Sequence, residues 1–263
     1  MTPQVSLSII TVVMDDPQGF QTTVESLLRQ DFDDFELVVI DSSSNTDEIS
    51  QILSDSDFSD SFTAAYQWVN PGGIYSAMNQ GLGLAQGEYV YFLNAGDRLD
   101  SVNVLTRVLQ RLRETKAAWL FGPVIMVEPD GSWVTTPSWN YADEQRNFFA
   151  RGLFPPHQGT FASLAAIKEC GGFDARYSIS ADYALFLQLS LKAEPTVVEF
   201  PIAQFATGGV STKKWRDSFA QFHRARVEIF QPHGKAAARE KLWTYWHFTR
   251  VWVYRELIER ARR

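Results

Sequence analysis

The stretch from Gly72 to Asp97, GGIYSAMNQGLGLAQGEYVYFLNAGD, constrains the fold more than any other part of this chain. Glycines flank an apolar helical segment, Gly87 stops it, Tyr89 to Leu93 form a short apolar run, and a polar turn closes on Asp97. A buried strand that delivers an acid just past its carboxyl end belongs to an open α/β sheet, and that edge is where such sheets bind ligands or metals. Gly81, Gly83 and Gly87 imitate a dinucleotide fingerprint. In a true fingerprint the glycine turn follows a strand and opens a helix, whereas these lie inside or after a helix and precede a strand. A nicotinamide oxidoreductase would rest on those misplaced glycines alone.

The residues before this stretch supply a strand–helix–strand unit. Leu7 to Val13, LSIITVV, is a β-branched run suited to a central parallel strand. Asp16 caps a helix with Pro17 at its first position, and Phe20, Val24, Leu27 and Leu28 recur at helical spacing. Phe35 to Ile40 is a second strand ending on Asp41, so a right-handed crossover brings Thr11 and Asp41 to one edge of the sheet. Ser42 to Asn45 reads as a polar turn, Asp47 to Leu53 as a short helix, and Ser54 to Ser61 as a solvated loop.

Beyond Asp97, Asp100 or Ser101 is expected to cap a helix with Val102, Leu105, Val108, Leu109 and Leu112 on its apolar face. Ala118 to Val127 and Ser132 to Thr136 read as a hairpin, and Trp139 to Phe154 as a helix with a mobile approach loop. Gly159 to Lys168 reads as a short helix, Tyr177 to Lys192 as a segment with Ser180 and Asp182 at a helix start, and Thr196 to Phe200 as a last strand. Gly208 and Gly209 mark a flexible loop.

With 263 residues, 45% of them hydrophobic, the chain can bury one large core with an appendage. A net charge of −7 argues against nucleic acid as a partner, and an acidic protein that handles phosphates is better served by a bridging divalent cation. The single cysteine, Cys170, excludes an internal disulfide and a multi-cysteine zinc site. The amino-terminal apolar run carries Ser6, Ser8 and Thr11 and no basic lead, so it reads as a strand and not a signal peptide. No apolar run approaches the about 18 residues of a membrane helix, which makes a cytoplasmic protein, soluble or peripheral, the expectation. Charge is unevenly placed: residues 213–263 carry 13 Lys plus Arg against 5 Asp plus Glu, a balance of +8 that leaves −15 on the preceding 212.

Three acids and a histidine stand out. Asp97 fits either a turn aspartate or a ligand for Mg2+ or Mn2+ that takes its remaining shell from water and a diphosphate, with Asn94 as a second polar contact. Asp41 fits an Asx turn or a contact to a nucleobase or ribose. Asp182 fits a helix cap or a general base. His157, in PPHQ, fits a structural histidine or one facing an acceptor or a metal.

LSIITVV, FELVVID with its serines and TD, the Gly72 to Asp97 stretch, PHQGTF, GGFD, SISADY and GGVS together resemble the family 2 glycosyltransferases, above all the small bacterial enzymes of the colanic-acid and phenolic-glycolipid type. The likeness runs from Leu7 to about Thr212, in the family's order and spacing. It implies a GT-A fold: a Rossmann-like, mostly parallel mixed sheet flanked by helices. Residues 1–212 would form that domain, with a nucleotide-binding half (1–100) and an acceptor half (101–212), followed by a basic, aromatic helical tail over 213–263. It implies metal-dependent transfer of a sugar from a nucleotide donor, with inversion, to a saccharide or lipid-linked acceptor. By the same resemblance Asp97 matches the last acid of the metal-binding motif, Asp182 the catalytic base, and Thr11, Asp41, Asn79, Asn94 and Gly96 the donor-binding set. The chain departs from common family patterns at Pro71, Ser76 and Gln80, at Met14 and Asp15, and at the extra Asn45. Pro71 and Ser76 keep open a non-catalytic nucleotide-sugar binder of the same fold. The tail interleaves Trp243, Tyr245, Trp246 and Trp252 with Arg239, Lys241 and Arg250, which suits an anionic surface at the inner face of the cytoplasmic membrane, packing on the body or an oligomer contact.

Overall fold

The computed structural model describes residues 5–54, 62–128, 130–136, 141, 148–149, 153–207 and 214–261. The Gly208, Gly209 loop, nearly all of the Ser54 to Ser61 loop and most of the Trp139 to Phe154 segment fall outside them.

Two neighbouring strands, β1 (Leu7–Val13) and β2 (Phe35–Asp41), are buried along their whole length. They pair in parallel, Leu7 opposite Phe35 and Val13 opposite Asp41. Alternation along a strand divides their side chains between two cores. Ile10, Val12, Val38 and Ile40 enter one, and Leu7, Ile9, Leu37 and Val39 enter the other. Helix α1 (Pro17–Leu28) starts as its sequence indicates, with the Asp16 side chain accepting from the Gly19 amide at 2.9 Å. It covers the odd-numbered face with Phe20, Val24 and Leu27. Helix α2 (Asp47–Ser54) follows β2.

Strand β3 (Thr63–Trp68) pairs with β2 at the edge of the sheet. Its sequence, TAAYQW, is mostly exposed and shows no apolar alternation, so no strand was expected there. Helix α3 (Ile74–Leu84) and strand β4 (Tyr89–Phe92) form the Gly72 to Asp97 stretch. Its glycines act by close approach. A Cβ on Gly81 would sit 2.4 Å from the Ile10 side chain, and one on Gly87 would sit 2.5 Å from the Ser8 amide nitrogen. The Gly87 amide donates to Ser8 Oγ at 2.8 Å, and Ser8 donates to buried Glu36, which ties the turn to β1 and β2.

The order in the seven-stranded sheet is β10 (Thr196–Val197), β6 (Trp119–Phe121), β9 (Thr160–Ser163), β4, β1, β2, β3. Only β9 runs against the other six. A second sheet has the order β5 (Arg98–Leu99), β11 (Ala203–Ala206), β7 (Val124–Val127), β8 (Trp133–Thr135).

Several expectations are corrected here. The run Ala118 to Val127 is two strands in two sheets, broken at Gly122 and Pro123, and only β7 and β8 form the hairpin. Gly159 to Lys168 is a 3-10 turn (His157–Gly159), strand β9 and a short helix α5 (Leu164–Glu169), because Thr160 to Ala162 fill the slot between β4 and β6. Neither Asp100 nor Ser101 caps the next helix, α4 (Val104–Thr115): Asp100 accepts from Gln204, Ser101 donates to Asn103, and Val102 is exposed. Thr196 to Phe200 is strand only over two residues, and β11 is an additional strand after it.

Helix α6 (Ala181–Lys192) is buried almost all round, between the even-numbered face of the sheet and helix α7 (Trp215–Phe230). The chain ends in a long helix, α8 (Lys235–Ala261). Arg226 of α7 fastens it, donating to Glu240 at 2.6 Å and Thr244 at 2.8 Å on α8 and to the Tyr183 hydroxyl on α6 at 3.0 Å.

Candidate active site

The antiparallel course of β9 builds the site. Its amino end lies at the edge where β4 ends, so the turn entering it meets the turn leaving β4. Tyr91 of β4 donates to the Gln158 carbonyl at 2.8 Å, and the Asn94 amide group lies 3.0 Å from His157 Nε2. Since Asn94 Nδ2 can only donate, Nε2 accepts, and the His157 proton sits on Nδ1. That nitrogen is 3.6 Å from Asp182 Oδ2.

Asp182 lies in the first turn of α6 and is 8% exposed. Its Oδ1 accepts from the Tyr75 hydroxyl and from the Tyr183 amide, both at 2.9 Å, which leaves Oδ2 as the open oxygen. Tyr75 comes from the first turn of α3, and its hydroxyl is also 2.9 Å from the Ile179 carbonyl. Burial, reinforced by the Asp182 charge, holds the Tyr75 phenol well above its ordinary pKa, so it remains a donor.

Asp97 ends the tight turn after β4, its amide donating to the Asn94 carbonyl at 3.0 Å. Gly96 adopts φ of +90°, a conformation that favours glycine, and gives the turn its bend. Thr23 of α1, fully buried, holds the same turn: its hydroxyl lies 3.0 Å from the Asn94 carbonyl and 2.7 Å from that of Asp97, and accepts from the Gly96 amide at 3.1 Å. Burial pushes the Asp97 carboxyl from 3.8 up to about 6, against the opposing influence of His157 and a hydrogen bond from the Gln158 side chain. Asp97, Asn94, His157, Asp182 and Tyr75 thus form one continuous polar cluster drawn from β4, the entry to β9, α6 and α3.

The other expected donor contacts are placed differently. Thr11 is fully buried and donates to the Leu93 carbonyl at 2.8 Å, bracing the end of β4 from beneath. Asn79 pairs with the backbone of Phe173, donating to its carbonyl at 2.7 Å and accepting from its amide at 2.9 Å. It holds the Gly171, Gly172 turn on α3. Asp41 has the Asx-turn geometry, accepting from the Ser43 amide at 2.7 Å, while its other oxygen accepts from Tyr66 at 2.8 Å. Burial, with that bond, pushes the Tyr66 phenol up to about 12. Each oxygen keeps a second acceptor site, but the side chain is fully buried.

Sequence reasoning missed Tyr75, Thr23, Gln158 and Tyr66. Gln158 adjoins His157 in PPHQ and Tyr75 lies inside the opening stretch, but a lone hydroxyl on an apolar helix face carries no spacing signal.

Among the described residues no three His, Cys, Asp or Glu side chains converge as a metal cage. The donors do fit a divalent cation bound by few protein groups. Asp97 would supply one carboxylate, and Asn94 Oδ1 is a buried oxygen without a hydrogen-bond partner. One carboxylate with substrate phosphates and water is a common way for proteins to hold Mg2+.

Solved structures share this architecture. S. aureus TarS 1-349 in complex with UDP-GlcNAc superposes with a TM-score of 0.70 at 20% identity, covering 91% of this chain and 70% of that one. The mannosyltransferase PcManGT from Pyrobaculum calidifontis, in complex with GDP-Man and Mn2+, superposes with a TM-score of 0.66 at 12% identity, covering 92% and 70%. This chain spans 42% of the longer S. aureus TarS structure. The fold is that of the GT-A enzymes. Residues 8–167 match Glycosyl transferase family 2, and the chain belongs to that family of nucleotide-sugar glycosyltransferases. An uncharacterized glycosyltransferase of Mycobacterium tuberculosis is 30% identical over 218 residues, 81% of this chain and 80% of its own length. A PGL/p-HBAD biosynthesis glycosyltransferase of Mycobacterium bovis is 30% identical over 177 residues, 67% of this chain and 66% of its own.

Proposed function

We propose that this protein is an inverting, metal-dependent glycosyltransferase that moves a sugar from a nucleotide-diphosphate donor to an acceptor hydroxyl in the assembly of a bacterial cell-surface polysaccharide or glycolipid. The observation that carries this reading is Asp182, a nearly buried carboxylate with one oxygen held by Tyr75 and Tyr183 and the other open beside His157. The open Oδ2 takes the proton from the acceptor hydroxyl as that oxygen attacks the anomeric carbon. The bond from that carbon to the donor's phosphate oxygen breaks, and the electron pair leaves with the nucleoside diphosphate. Asp97, with Asn94 as neighbour, would hold Mg2+ or Mn2+, and the cation would supply charge neutralisation for the departing diphosphate. Tyr75 and Tyr183 orient Asp182, and His157 lies between base and metal ligand, 3.6 Å from Asp182 Oδ2 and 3.0 Å from Asn94. The acceptor is a saccharide or lipid-linked hydroxyl, and the protein works in the cytoplasm at the inner face of the cytoplasmic membrane. The relative named for PGL/p-HBAD biosynthesis and the donors in the two solved structures support this choice of chemistry.

The test is a screen of UDP and GDP sugars by thermal shift with and without Mn2+, followed by donor hydrolysis. Asp182→Asn is expected to keep metal-dependent donor binding and to lose transfer and hydrolysis. Full turnover by that variant removes Asp182 as the base, and a parent that binds donor without ever hydrolysing it is the non-catalytic binder.

A further inference from the structure

Helix α8 shows a surface unlike the rest of the molecule. Of the 17 large hydrophobic side chains exposed among the described residues, seven lie on this one helix, among them Trp246 at 51%, Leu242 at 70% and Leu257 at 60%. No described exposed residue of α8 is acidic, although the first 212 residues of the chain carry a net −15. Of its three acids, Glu240 is turned inward onto Arg226, and the side chains of Glu256 and Glu259 lie outside the described residues. The exposed cations Lys235, Arg239, Lys241 and Arg250 alternate with the apolar side chains, and the Arg250 guanidinium lies 5.1 Å over the Trp246 ring.

The surface continues into a groove of about 290 Å³ between α7 and α8. Phe219, Phe248 and Tyr245 line it, with Arg216 and Lys241 among its charged residues. A cavity with apolar walls and cations beside them fits a segment of hydrocarbon whose anionic head meets those cations. A wholly aqueous surface would not gather tryptophan, leucine and arginine on one helix, whereas the boundary between lipid headgroups and acyl chains accommodates all three. No helix among the described residues is long and apolar enough to cross a membrane, so this helix would lie along the interface.

We propose that α8, together with the groove it forms with α7, docks on the surface of an anionic phospholipid bilayer. Arg226 joins Glu240 and Thr244 on α8 to Tyr183, the residue after Asp182, so the docking helix and the base-bearing helix are held in one frame. Docking rests on α8 itself and needs no donor, so its failure and failure of the transfer reading are separate results.

The experiment is co-sedimentation of the full chain with vesicles of phosphatidylglycerol and phosphatidylcholine, and with phosphatidylcholine alone, over a series of salt concentrations. Binding is expected on the anionic vesicles and is expected to weaken as salt rises. Lys241→Gln with Arg250→Gln is expected to weaken it about thirtyfold, at about 1 kcal/mol for each cation near an anionic surface. Trp246→Ser with Trp252→Ser is expected to abolish it, with donor thermal shift unchanged in both variants as the check on folding. Equal partition on the two kinds of vesicle, or none on either, overturns the proposal without needing a variant. Self-association lost in the tryptophan variant, with no vesicle binding by the parent, assigns the surface to a second copy of the chain and overturns it as well.

Discussion

Asp97→Asn separates stability from function. In the folded protein the Asp97 carboxyl titrates at about 6, against 3.8 for an ordinary aspartate, chiefly because burial disfavours its charged form. Between those two values the native state holds a proton that the unfolded chain has released. Stability therefore falls as pH rises through that window, and above about pH 6 the full cost is present. A shift of about two units at 1.36 kcal/mol each makes that cost about 3 kcal/mol. Asparagine keeps the shape of the side chain and has no proton to lose. With metal chelated, the variant should exceed the parent in stability by about 3 kcal/mol at pH 8, and the difference should shrink toward zero near pH 4. Urea unfolding in EDTA across that range measures it. Adding Mn2+ and a bound donor at about 100 times its Kd should restore about 2.7 kcal/mol to the parent alone. Parallel pH curves for the two proteins, or a variant less stable at pH 8, would show that burial does not penalise the Asp97 charge.

Two further substitutions test the surroundings of the base and of the tail. Tyr75→Phe removes the phenol that donates to Asp182 Oδ1; kcat should fall about 10- to 100-fold with donor KM little changed, as expected for loss of a hydrogen bond to a charged group. A change confined to KM would move Tyr75 from positioning the base to binding the donor. Arg226→Ala leaves Glu240 with only the longer contacts to His223 at 3.4 Å and Thr244 at 3.3 Å and should cost up to about 3 kcal/mol in chemical denaturation, whereas the double change Arg226→Met with Glu240→Leu should lie nearer the parent. Equal losses in the single and double variants would mean that packing, and not the ion pair, fastens α8.

The parts of the fold legible in the sequence are those where burial imposes a period. Strands β1 and β2 are closed on both faces and α1 carries its cap in its own sequence, so LSIITVV, DP and FELVVID announce them locally. Strand β3 is held by its partner β2 alone, with mostly exposed side chains, and nothing in TAAYQW demands a strand. Strand β9 was misread for a related reason: Thr160 to Ser163 run directly into the apolar pattern of α5, and only the vacancy between β4 and β6 makes them extended. Sheet position decided these segments, and position is a property of the whole chain.

The same distinction divides the site. An acid at the end of a buried strand and an acid at a helix start can each be found by local reading, and Asp97 and Asp182 do come together in one cluster. Their meeting depends on β9, the one strand that runs the other way, because its entry carries His157 and Gln158 to the edge where β4 ends. No local pattern encodes that reversal. Conversely, Thr11 and Asn79 are polar residues in the right segments whose side chains are used to hold backbone at Leu93 and Phe173. A motif therefore marks two kinds of residue alike, those that face the ligand and those that hold the turns facing it. Hydrogen-bond partners tell them apart: Asp182 has both of its hydrogen bonds on Oδ1 and none on Oδ2, whereas Asn79 commits its carbonyl and an amide N–H to the Phe173 backbone.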